Sequence, residues 1–450
     1  MTCLATHLSR LAALTLSTAL FGFNSVAAAQ EVVPSTLVGH AALPAFSFAA
    51  PPSDAPAETW ISGKFTNGAT PVNEPMSLEP INQLMRPFFG QPTQGFSGYA
   101  LERTEDGGLV ALIDNGFGSK ANSPDALLSF THITPDFDAG TVTLEDRVWL
   151  SDPNHLVPFR ITHEATEERY LTGADFDLEG IQMVGDEIWI GEEFGPYLIS
   201  FTMDGVVTGV FPTMLDGEEI RSPDHPALRI PAMGGTDWTL PRSGGYEGLA
   251  LTMDGSLLWG MLEKPLLAEN GESEGDFLRV LAFDPQARAW TGDSFKFAFT
   301  PGAVAIGDFN FIDDTRALVI ERDGGEGHES LECAEGETEN CFDRPARVKV
   351  VTLIDTADID DDGFVRRVAQ IDLMNIQDPD GLARIPTDGD IADGVFTFPF
   401  VTIESVIRDG DEHILVSNDN NLPFSAGRQL GVADSNEIIR LHVPELLNAQ

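Results

Sequence analysis

One hairpin pattern recurs along this chain, and acidic side chains bracket each copy. The clearest copy begins at Glu179, passes through an apolar strand, a polar turn and a second apolar strand, and ends at Glu192-Glu193. In an antiparallel hairpin the start of the first strand lies beside the end of the second. Both acidic positions of a copy therefore lie at the same edge of its sheet. Similar copies occupy residues 97–115 (where Ser97 replaces the first acid), 247–263, 308–321 and 404–419.

The recurrence of this edge chemistry favours a radial arrangement of sheets. From Trp60 onward, short β runs alternate with turns that contain Gly, Asp and Pro, and long helical periodicity is nearly absent. Marked hairpins separated by long, variable insertions are typical of a β-propeller. We therefore expect an all-β, propeller-like fold of about six irregular blades with long loops. A sandwich pair is the main alternative, but a radial arrangement explains the shared edge chemistry more naturally.

The first 29 residues have the pattern of a secretory signal peptide. Arg10 is the only formal charge before Glu31, and an apolar run over residues 11–26 precedes three consecutive alanines that end at Ala29. The run is short and rich in Ala, Ser and Thr for a membrane span. We therefore expect cleavage after Ala29 and a periplasmic or secreted mature chain that is not inserted in the membrane.

The mature chain is expected to consist of a lead-in and one domain. Residues 30–58 are rich in Ala and Pro, which indicates an exposed or weakly ordered segment. Residues 59–450 contain all the hairpins, and closed β architectures can extend over this length as one unit. We therefore predict a single propeller domain over residues 59–450.

The charge of the chain is strongly one-sided. The sequence has 71 acidic residues against 26 Lys and Arg, which gives a formal net charge of −45. Such a charge repels nucleic acid and anionic membrane surfaces. The excess has two interpretations, a solvated acidic surface and the binding of divalent cations. The bracketed hairpins account for only about ten carboxylates, so most of the excess belongs to the surface.

The cysteines predict one local disulfide. Cys3 lies in the signal sequence, whereas Cys333 and Cys341 lie in a Gly- and Glu-rich stretch of the mature chain. Two cysteines at short range in an exported chain favour a disulfide. A metal site is disfavoured because further soft ligands are not nearby.

The residues that bracket the hairpins are candidate metal ligands. Glu179 and Glu247 each precede Gly at a strand entry, and this shared context favours a site over solvated caps. The Asn-rich end of the fourth hairpin, at Asp419, suits a turn and also ligation of a hard cation. Carboxylate and amide oxygens are typical ligands of Ca²⁺, so we expect Ca²⁺ or another divalent metal. The candidate ligands are Glu179, Glu193, Glu247, Asp308, Glu321 and Asp419.

Two basic residues directly follow an acid at the end of a second strand. These residues are Lys264, after Glu263, and Arg322, after Glu321. Neighbours on a strand point to opposite faces unless a bulge intervenes. Each basic residue therefore either forms a surface ion pair of little energetic value or faces an anionic group such as phosphate. The second alternative makes Lys264 and Arg322 candidate catalytic residues.

Two shorter motifs carry less weight. Residues 271–275 match G-x-S-x-G around Ser273, but they lack the strand-to-helix context of a nucleophile elbow. Residues 358–363 resemble the opening of an EF-hand calcium loop, yet Ala369 occupies the position of the bidentate Glu. A weak calcium loop and an ordinary acidic turn both remain open for this segment.

The hairpins also resemble those of the phytase-like family of exported bacterial proteins, described as "esterase-like activity of phytase". The resemblance extends over about residues 95–440 and implies a propeller-like β fold and hydrolysis of phosphate or other esters. It is carried by the hairpin from Ser97-Gly98 to Asp114 and by residues 179–196, 246–249, 319–323 and 416–421.

Two functions follow as hypotheses. The first is an exported metal-dependent hydrolase of small phosphoesters or other esters, in which Lys264 or Arg322 offsets developing negative charge. The second is a non-enzymatic, calcium-stabilised binding propeller for a polysaccharide or protein partner. Activity toward a generic phosphoester, with and without a chelator, separates the two hypotheses.

Overall fold

The computed structural model of the chain describes residues 30–67, 70–71, 80–104, 106–114, 116–228 and 238–450. The predicted signal peptide, residues 1–29, lies outside the described residues. Among the residues that are described, no helix combines the length and apolar character that a membrane span requires.

Five antiparallel units of four strands dominate the described residues, and the first two strands of each unit are one of the predicted hairpins. We number these units blades 1 to 5 in the order of their hairpins. Blade 1 contains Phe96–Tyr99, Leu109–Ile113, Ser129–Asp136 and Thr141–Trp149; blade 2 contains Leu178–Val184, Glu187–Glu192, Tyr197–Thr202 and Val207–Pro212. Blade 3 contains Tyr246–Leu251, Leu258–Leu262, Phe277–Asp284 and Ala289–Ala298; blade 4 contains Ala305–Phe311, Arg316–Arg322, Lys349–Ile359 and Val365–Asp372. Blade 5 contains Thr402–Arg408, His413–Asp419, Asn436–His442 and Thr36–Leu43.

The remaining elements are short. One α-helix spans Pro444–Asn448, and 3₁₀ turns span Ala57–Trp60 and Glu329–Leu331. The short strands are Glu31–Val32, Phe48–Ala49, Ile61–Ser62, Thr66–Asn67, Thr70–Pro71, Phe88–Phe89, Gln91–Pro92, Met214–Leu215, Glu218–Glu219, Ile376–Gln377 and Val395–Phe396.

The blades form a closed ring. The first strand of each blade contacts the first strand of the next, and the first strand of blade 5 contacts that of blade 1. Neighbouring blades share apolar cores, as where Trp189 of blade 2 meets Phe283 of blade 3 at 5.4 Å between ring centroids. The predicted all-β propeller is confirmed, and the described residues form five blades where about six were expected.

Blade 5 joins the two ends of the chain. Thr36–Leu43 pairs antiparallel with Asn436–His442 and forms the outer strand of the blade. The sequence interpretation assigned this strand to an exposed lead-in over residues 30–58, so the propeller begins earlier than predicted. The strand was missed because it is rich in small residues and its partner lies at the other end of the chain. A parallel bridge from Ala42 to Thr141 also joins blade 5 to blade 1.

Two buried amides close the central axis. The side chains of Gln182 in blade 2 and Asn310 in blade 4 form a hydrogen bond of 2.8 Å. Gln182 Nε2 also donates to Leu249 O of blade 3, and its Oε1 accepts from Leu101 N beside blade 1. Asn310 Nδ2 donates to Val406 O of blade 5. This one network therefore ties all the blades together at the axis.

Two loop predictions can be compared with the structure. Cys333 and Cys341 form the predicted disulfide, in the long insertion between the second and third strands of blade 4. Asp360 Oδ1 accepts hydrogen bonds from the backbone N–H groups of Asp362 and Phe364. These contacts close the turn between the third and fourth strands of blade 4 and correspond to the acidic-turn alternative for that segment.

Glycines allow the first strands of neighbouring blades to approach closely. Gly180 in blade 2 has a φ of +72°, and an added Cβ would lie 2.8 Å from Leu249 N of blade 3. Gly185, in the turn of the same hairpin, has a φ of +61° but open space around it. The two positions share the left-handed backbone and differ in their surroundings.

We predict that Gly180→Ala destabilises the protein more than Gly185→Ala does. Both substitutions introduce left-handed strain of about 1 kcal/mol, but only the methyl group added at position 180 meets the backbone of the next blade. The clash should lower the free energy of unfolding by a further amount of about 1–3 kcal/mol. Chemical denaturation of both variants measures the difference, and equal losses would show that the blades do not interlock at this position.

Candidate metal centre

β-Bulges gather the bracketing residues at one end of the axis. The pairing of the first two strands shifts register in every blade, at or beside the first bracketing position. Such a bulge re-aims a side chain that would otherwise alternate between faces. The first-strand positions are Ser97, Glu179, Glu247, Gly307 and Glu404, and the positions at the end of the second strand are Asp114, Glu193, Glu263, Arg322 and Asp419. We use the name acidic ring for the carboxylates among these residues together with Asp177.

Two groups of three carboxylates are close enough to share an ion. One oxygen from each of Asp114, Asp177 and Glu179 lies within 4.8 Å of the others, where blades 1 and 2 meet. Glu193, Glu247 and Glu263 form an equivalent group between blades 2 and 3. Buried acidic groups of this kind can hold a metal ion, because carboxylate oxygens are the preferred donors of hard cations.

Arg322 lies beside the second group. Its Nη2 is 3.2 Å from Glu247 Oε1, 3.2 Å from Glu263 Oε1 and 3.8 Å from Glu404 Oε1. Its Nε donates to Ile306 O, which fixes the plane of the guanidinium. Burial acts to lower the pKa of Arg322, but these carboxylates raise it above its usual value. The side chain is therefore a permanent cation inside the acidic ring.

Blades 1 and 5 complete the ring. Ser97 Oγ donates to Glu404 Oε2 over 3.5 Å. Asp419 Oδ1 accepts from Gly95 N at 2.9 Å and from Asn421 N at 2.7 Å. These bonds orient the Asp419 carboxylate toward the part of the ring that contains Asp114.

Glu179 has a buried carboxylate oxygen without a partner. Its side chain is 8% exposed, and its Oε2 has no hydrogen-bond partner among the described residues. A buried polar atom left unpaired costs about 1–3 kcal/mol, and more when it is charged. An oxygen in this state, within 4.8 Å of two other carboxylates, fits a cation ligand.

Burial and mutual repulsion raise the pKa values of the ring. Burial, then the charges of Glu404 and Glu247, raises the pKa of Glu179 well above its usual range. Burial, then Glu263, raises the pKa of Glu247 from 4.5 to about 8. Burial, then Asp114, raises the pKa of Asp419 from 3.8 to about 8. The ion-free ring therefore retains protons that ordinary carboxyl groups release.

The structure brings four of the six predicted ligands into the ring, namely Glu179, Glu193, Glu247 and Asp419. Asp308 is not among them. In blade 4 the unpaired residue at the ring position is Gly307, and Asp308 follows it. Asp308 instead accepts hydrogen bonds from the backbone of Phe309 and Val406 and from the Asn310 amide, so it ties blade 4 to blade 5.

Glu321 also lies outside the ring, because it is one residue short of the ring position that Arg322 occupies. Adjacent residues on a strand face opposite sides. Glu321 Oε1 is 2.6 Å from Arg367 Nη2, and its carboxylate accepts from Thr300 N and Thr352 Oγ1. The carboxylate is therefore engaged within blade 4.

The predicted ligand set omitted four members of the acidic ring. Asp114, Glu263 and Glu404 bracket hairpins in the sequence, and the equivalence of the blades identifies them. Asp177 precedes Glu179 by two residues, which is the spacing that places side chains on one face of an extended chain. The alternation around Glu179 was therefore the signal for Asp177.

The other predicted residues have contrasting positions. Lys264 Nζ is 2.6 Å from Glu263 Oε2 and also donates to Ser243 O, with one third of the side chain exposed at the rim of the ring. Ser273 lies in an exposed turn, and its Oγ donates to Gly275 O. Its hydroxyl is thus engaged by the local backbone.

Comparisons with known proteins identify a family model that matches the chain and several solved structures that are similar to it. A phytase-like family model, described as "Esterase-like activity of phytase", matches residues 91–422, a range that contains the whole acidic ring. No curated protein matches the chain.

A luciferin-regenerating enzyme is similar in structure, with 11% identity, coverage of 81% of this chain and 82% of that chain, and a TM-score of 0.36. An aldose sugar dehydrogenase from Streptomyces coelicolor has 11% identity, coverage of 78% and 94%, and a TM-score of 0.34. A GH43 endo-arabinanase from Bacillus licheniformis has 10% identity, coverage of 77% and 93%, and a TM-score of 0.34.

We predict that the ion-free protein loses stability as the pH rises. A carboxyl group whose pKa is raised by folding keeps its proton after the unfolded chain has released it. The contribution of Glu247 is therefore complete below pH 4.5 and is lost as the pH rises to about 8. The Tm of chelator-treated protein should fall across this window, and saturating Ca²⁺ should reduce the fall.

Thermal unfolding at several pH values, with chelator and with Ca²⁺, measures this dependence. Charge repulsion over the rest of the acidic surface could also make the Tm depend on pH. Glu247→Gln controls for this effect, because it removes one titrating group of the ring and leaves the surface charges unchanged. Its ion-free Tm should vary less steeply with pH than that of the wild type. A wild-type Tm that is constant or rises in chelator would contradict the prediction.

Proposed function

The chain belongs to the phytase-like family, and from this membership and the acidic ring we propose that it is an exported, metal-dependent hydrolase of phosphoesters or other esters. The cation, Ca²⁺ or another divalent metal, binds at one end of the propeller axis. The substrate is a small molecule that reaches the same end of the axis.

The unpartnered Oε2 of Glu179 is the observation that carries this proposal. This buried oxygen can coordinate a metal ion, and the other members of its group, Asp114 and Asp177, also offer carboxylate oxygens as ligands. Ca²⁺ binds six to eight oxygen ligands in flexible geometry, and Glu404 and Asp419 lie near the same group. This all-oxygen donor set fits a hard cation.

Two basic side chains contact one of the two carboxylate groups of the ring. Arg322 and Lys264 both contact the group of Glu193, Glu247 and Glu263, so part of the negative charge there is already offset. Because Glu179 Oε2 is buried and unpartnered, we assign the cation to the group of Asp114, Asp177 and Glu179.

The proposed chemistry uses this division. A bound divalent cation supplies polarisation of the ester oxygen and lowers the pKa of a coordinated water. The Arg322 guanidinium is held in place by Ile306 O and two carboxylates, so its positive charge is available beside the reacting group without rearrangement. Lys264, which is partly exposed at the rim, can contact an incoming phosphate or carboxylate.

The same geometry also suits a calcium-stabilised binding propeller without catalysis. In that case the cation holds neighbouring blades together and the ring carries out no reaction. Ion binding without turnover of any ester would favour this second function, and the following experiment includes that outcome.

We predict that Glu179→Gln weakens binding of Ca²⁺ by at least about tenfold and lowers hydrolysis in parallel. The substitution keeps the size of the side chain but removes the charge of the unpartnered carboxylate. Glu247→Gln should weaken the binding of Ca²⁺ less, since Glu247 already contacts Arg322. Titration calorimetry measures the ion, and assays with 4-nitrophenyl phosphate and 4-nitrophenyl acetate measure turnover.

Two exposed neighbours provide controls. Glu272→Gln removes one carboxylate outside the ring, and Ser273→Ala removes the hydroxyl of the G-x-S-x-G motif. Both variants should retain ion affinity and activity. Undiminished ion binding in Glu179→Gln would refute the metal centre, and loss of activity in Ser273→Ala would point to a serine hydrolase.

A further inference from the structure

A cavity beside blade 2 is a candidate site for the substrate. Its volume is about 970 Å³, which is at the upper end of the range for small-molecule sites. The wall combines cationic, aromatic and polar groups with apolar ones. The residues that matter to the inference are Lys120, Phe159, Arg160, Tyr197, Glu219 and His225.

The cavity adjoins the acidic ring through several short segments of chain. Asp114 of the ring is six residues from Lys120 of the wall. Residues 174–177 lead from the wall to Asp177, and residues 193–197 lead from Glu193 to the wall. Glu193 N also donates to Asp177 O at 2.9 Å, which holds two of these segments together. The wall of the cavity is therefore connected by short chain segments to the ring residues Asp114, Asp177 and Glu193.

Lys120 lines the cavity and lies within electrostatic range of Asp177 of the ring. Its Nζ is 4.9 Å from the centroid of the Phe194 ring and donates to Asp224 O at 3.3 Å. Burial lowers the pKa of Lys120, and the nearby carboxylates of Glu192 and Asp175 act in the opposite direction. An anionic group in the cavity would add a direct partner for this ammonium. Arg160 supplies a second, exposed cation on the same wall.

The opposite part of the wall is aromatic and held in place. Phe159 stacks with Tyr197 at 6.1 Å between ring centroids. Ala227 N donates to His225 Nδ1, so in the neutral ring the proton lies on Nε2, which faces Tyr197 OH at 2.9 Å and Glu219 Oε1 at 3.3 Å. The polar atoms of the tyrosine and histidine are thus engaged with each other. Tyr197 and His225 are buried, and the partly exposed ring of Phe159 presents a flat apolar surface to a ligand.

We propose that this cavity binds an aromatic phosphoester, with its ring against Phe159 and its phosphate held by Lys120 and Arg160. The inference deepens the proposed function and rests on it for the link to hydrolysis. Binding at the cavity is testable without turnover, so the two ideas can fail separately. The substrate class is then a phosphoester with one flat apolar group.

Phenylphosphonate is the probe, because its carbon–phosphorus bond resists hydrolysis. Titration calorimetry with the full chain in the presence of Ca²⁺ measures the affinity for phenylphosphonate. Lys120→Met should lower this affinity by about tenfold or more, because one charge-assisted contact is lost. Arg160→Met, at an exposed position that folding tolerates, should weaken it by a smaller factor. Phe159→Ala should weaken phenylphosphonate and leave the affinity for inorganic phosphate unchanged. Lys296→Met is the matched control, since Lys296 of blade 3 lies over the rings of Phe277 and Phe364, outside this wall.

The outcomes separate the inference from the proposed function. The inference is overturned if phenylphosphonate does not bind the wild type, or if Lys120→Met, Arg160→Met and Phe159→Ala all bind it with wild-type affinity. Loss of affinity in these variants, without hydrolysis of any aryl phosphate by the wild type, supports the cavity and refutes the hydrolase. Hydrolysis with unchanged affinity in the variants supports the hydrolase and refutes the cavity.

Discussion

The hydrogen bond between the Gln182 and Asn310 amides is the constraint on which the rest of this structure depends. Both side chains are buried at the axis, and their remaining polar atoms bind the backbones of the other blades. Because both amides are nearly saturated, separating any one blade would leave several buried polar atoms unpaired. The first strands are therefore held at a fixed distance from one another. The acidic ring lies on the ends of those strands, so its carboxylates cannot relieve their repulsion by moving apart.

Repulsion that geometry cannot relieve has to be offset by protons or cations. Arg322 does this for the half of the ring that contains Glu247 and Glu263. In the other half, Glu179 retains a buried oxygen without a partner, and burial and neighbouring carboxylates raise its pKa. A divalent cation offsets more charge at one point than a proton does. The buried, unpartnered oxygen of Glu179 therefore makes its half of the ring the better fit for a metal ion.

The local sequence pattern was sufficient to predict the hairpins and the ring positions of Glu179 and Glu247, because the two strands of a hairpin and their turn lie within a few residues of each other. It was insufficient in blade 4, where the bulge falls on Gly307 and shifts each bracketing residue by one. That shift places Arg322 in the ring and turns Asp308 and Glu321 away from it, and nothing in the local pattern distinguishes the two registers. The outer strand Thr36–Leu43 was missed for a different reason, since its pairing depends on a partner at the far end of the chain.

The overall charge of −45 sets a condition on any anionic substrate. Repulsion from the distant surface is screened beyond about 8 Å at physiological ionic strength, whereas buried groups are screened far less. Attraction must therefore come from cations within a few ångströms of the bound anion. At the ring these are Arg322 and Lys264, and at the cavity they are Lys120 and Arg160. In a chain with 26 basic residues against 71 acidic ones, such local cations decide where an anionic ester can bind.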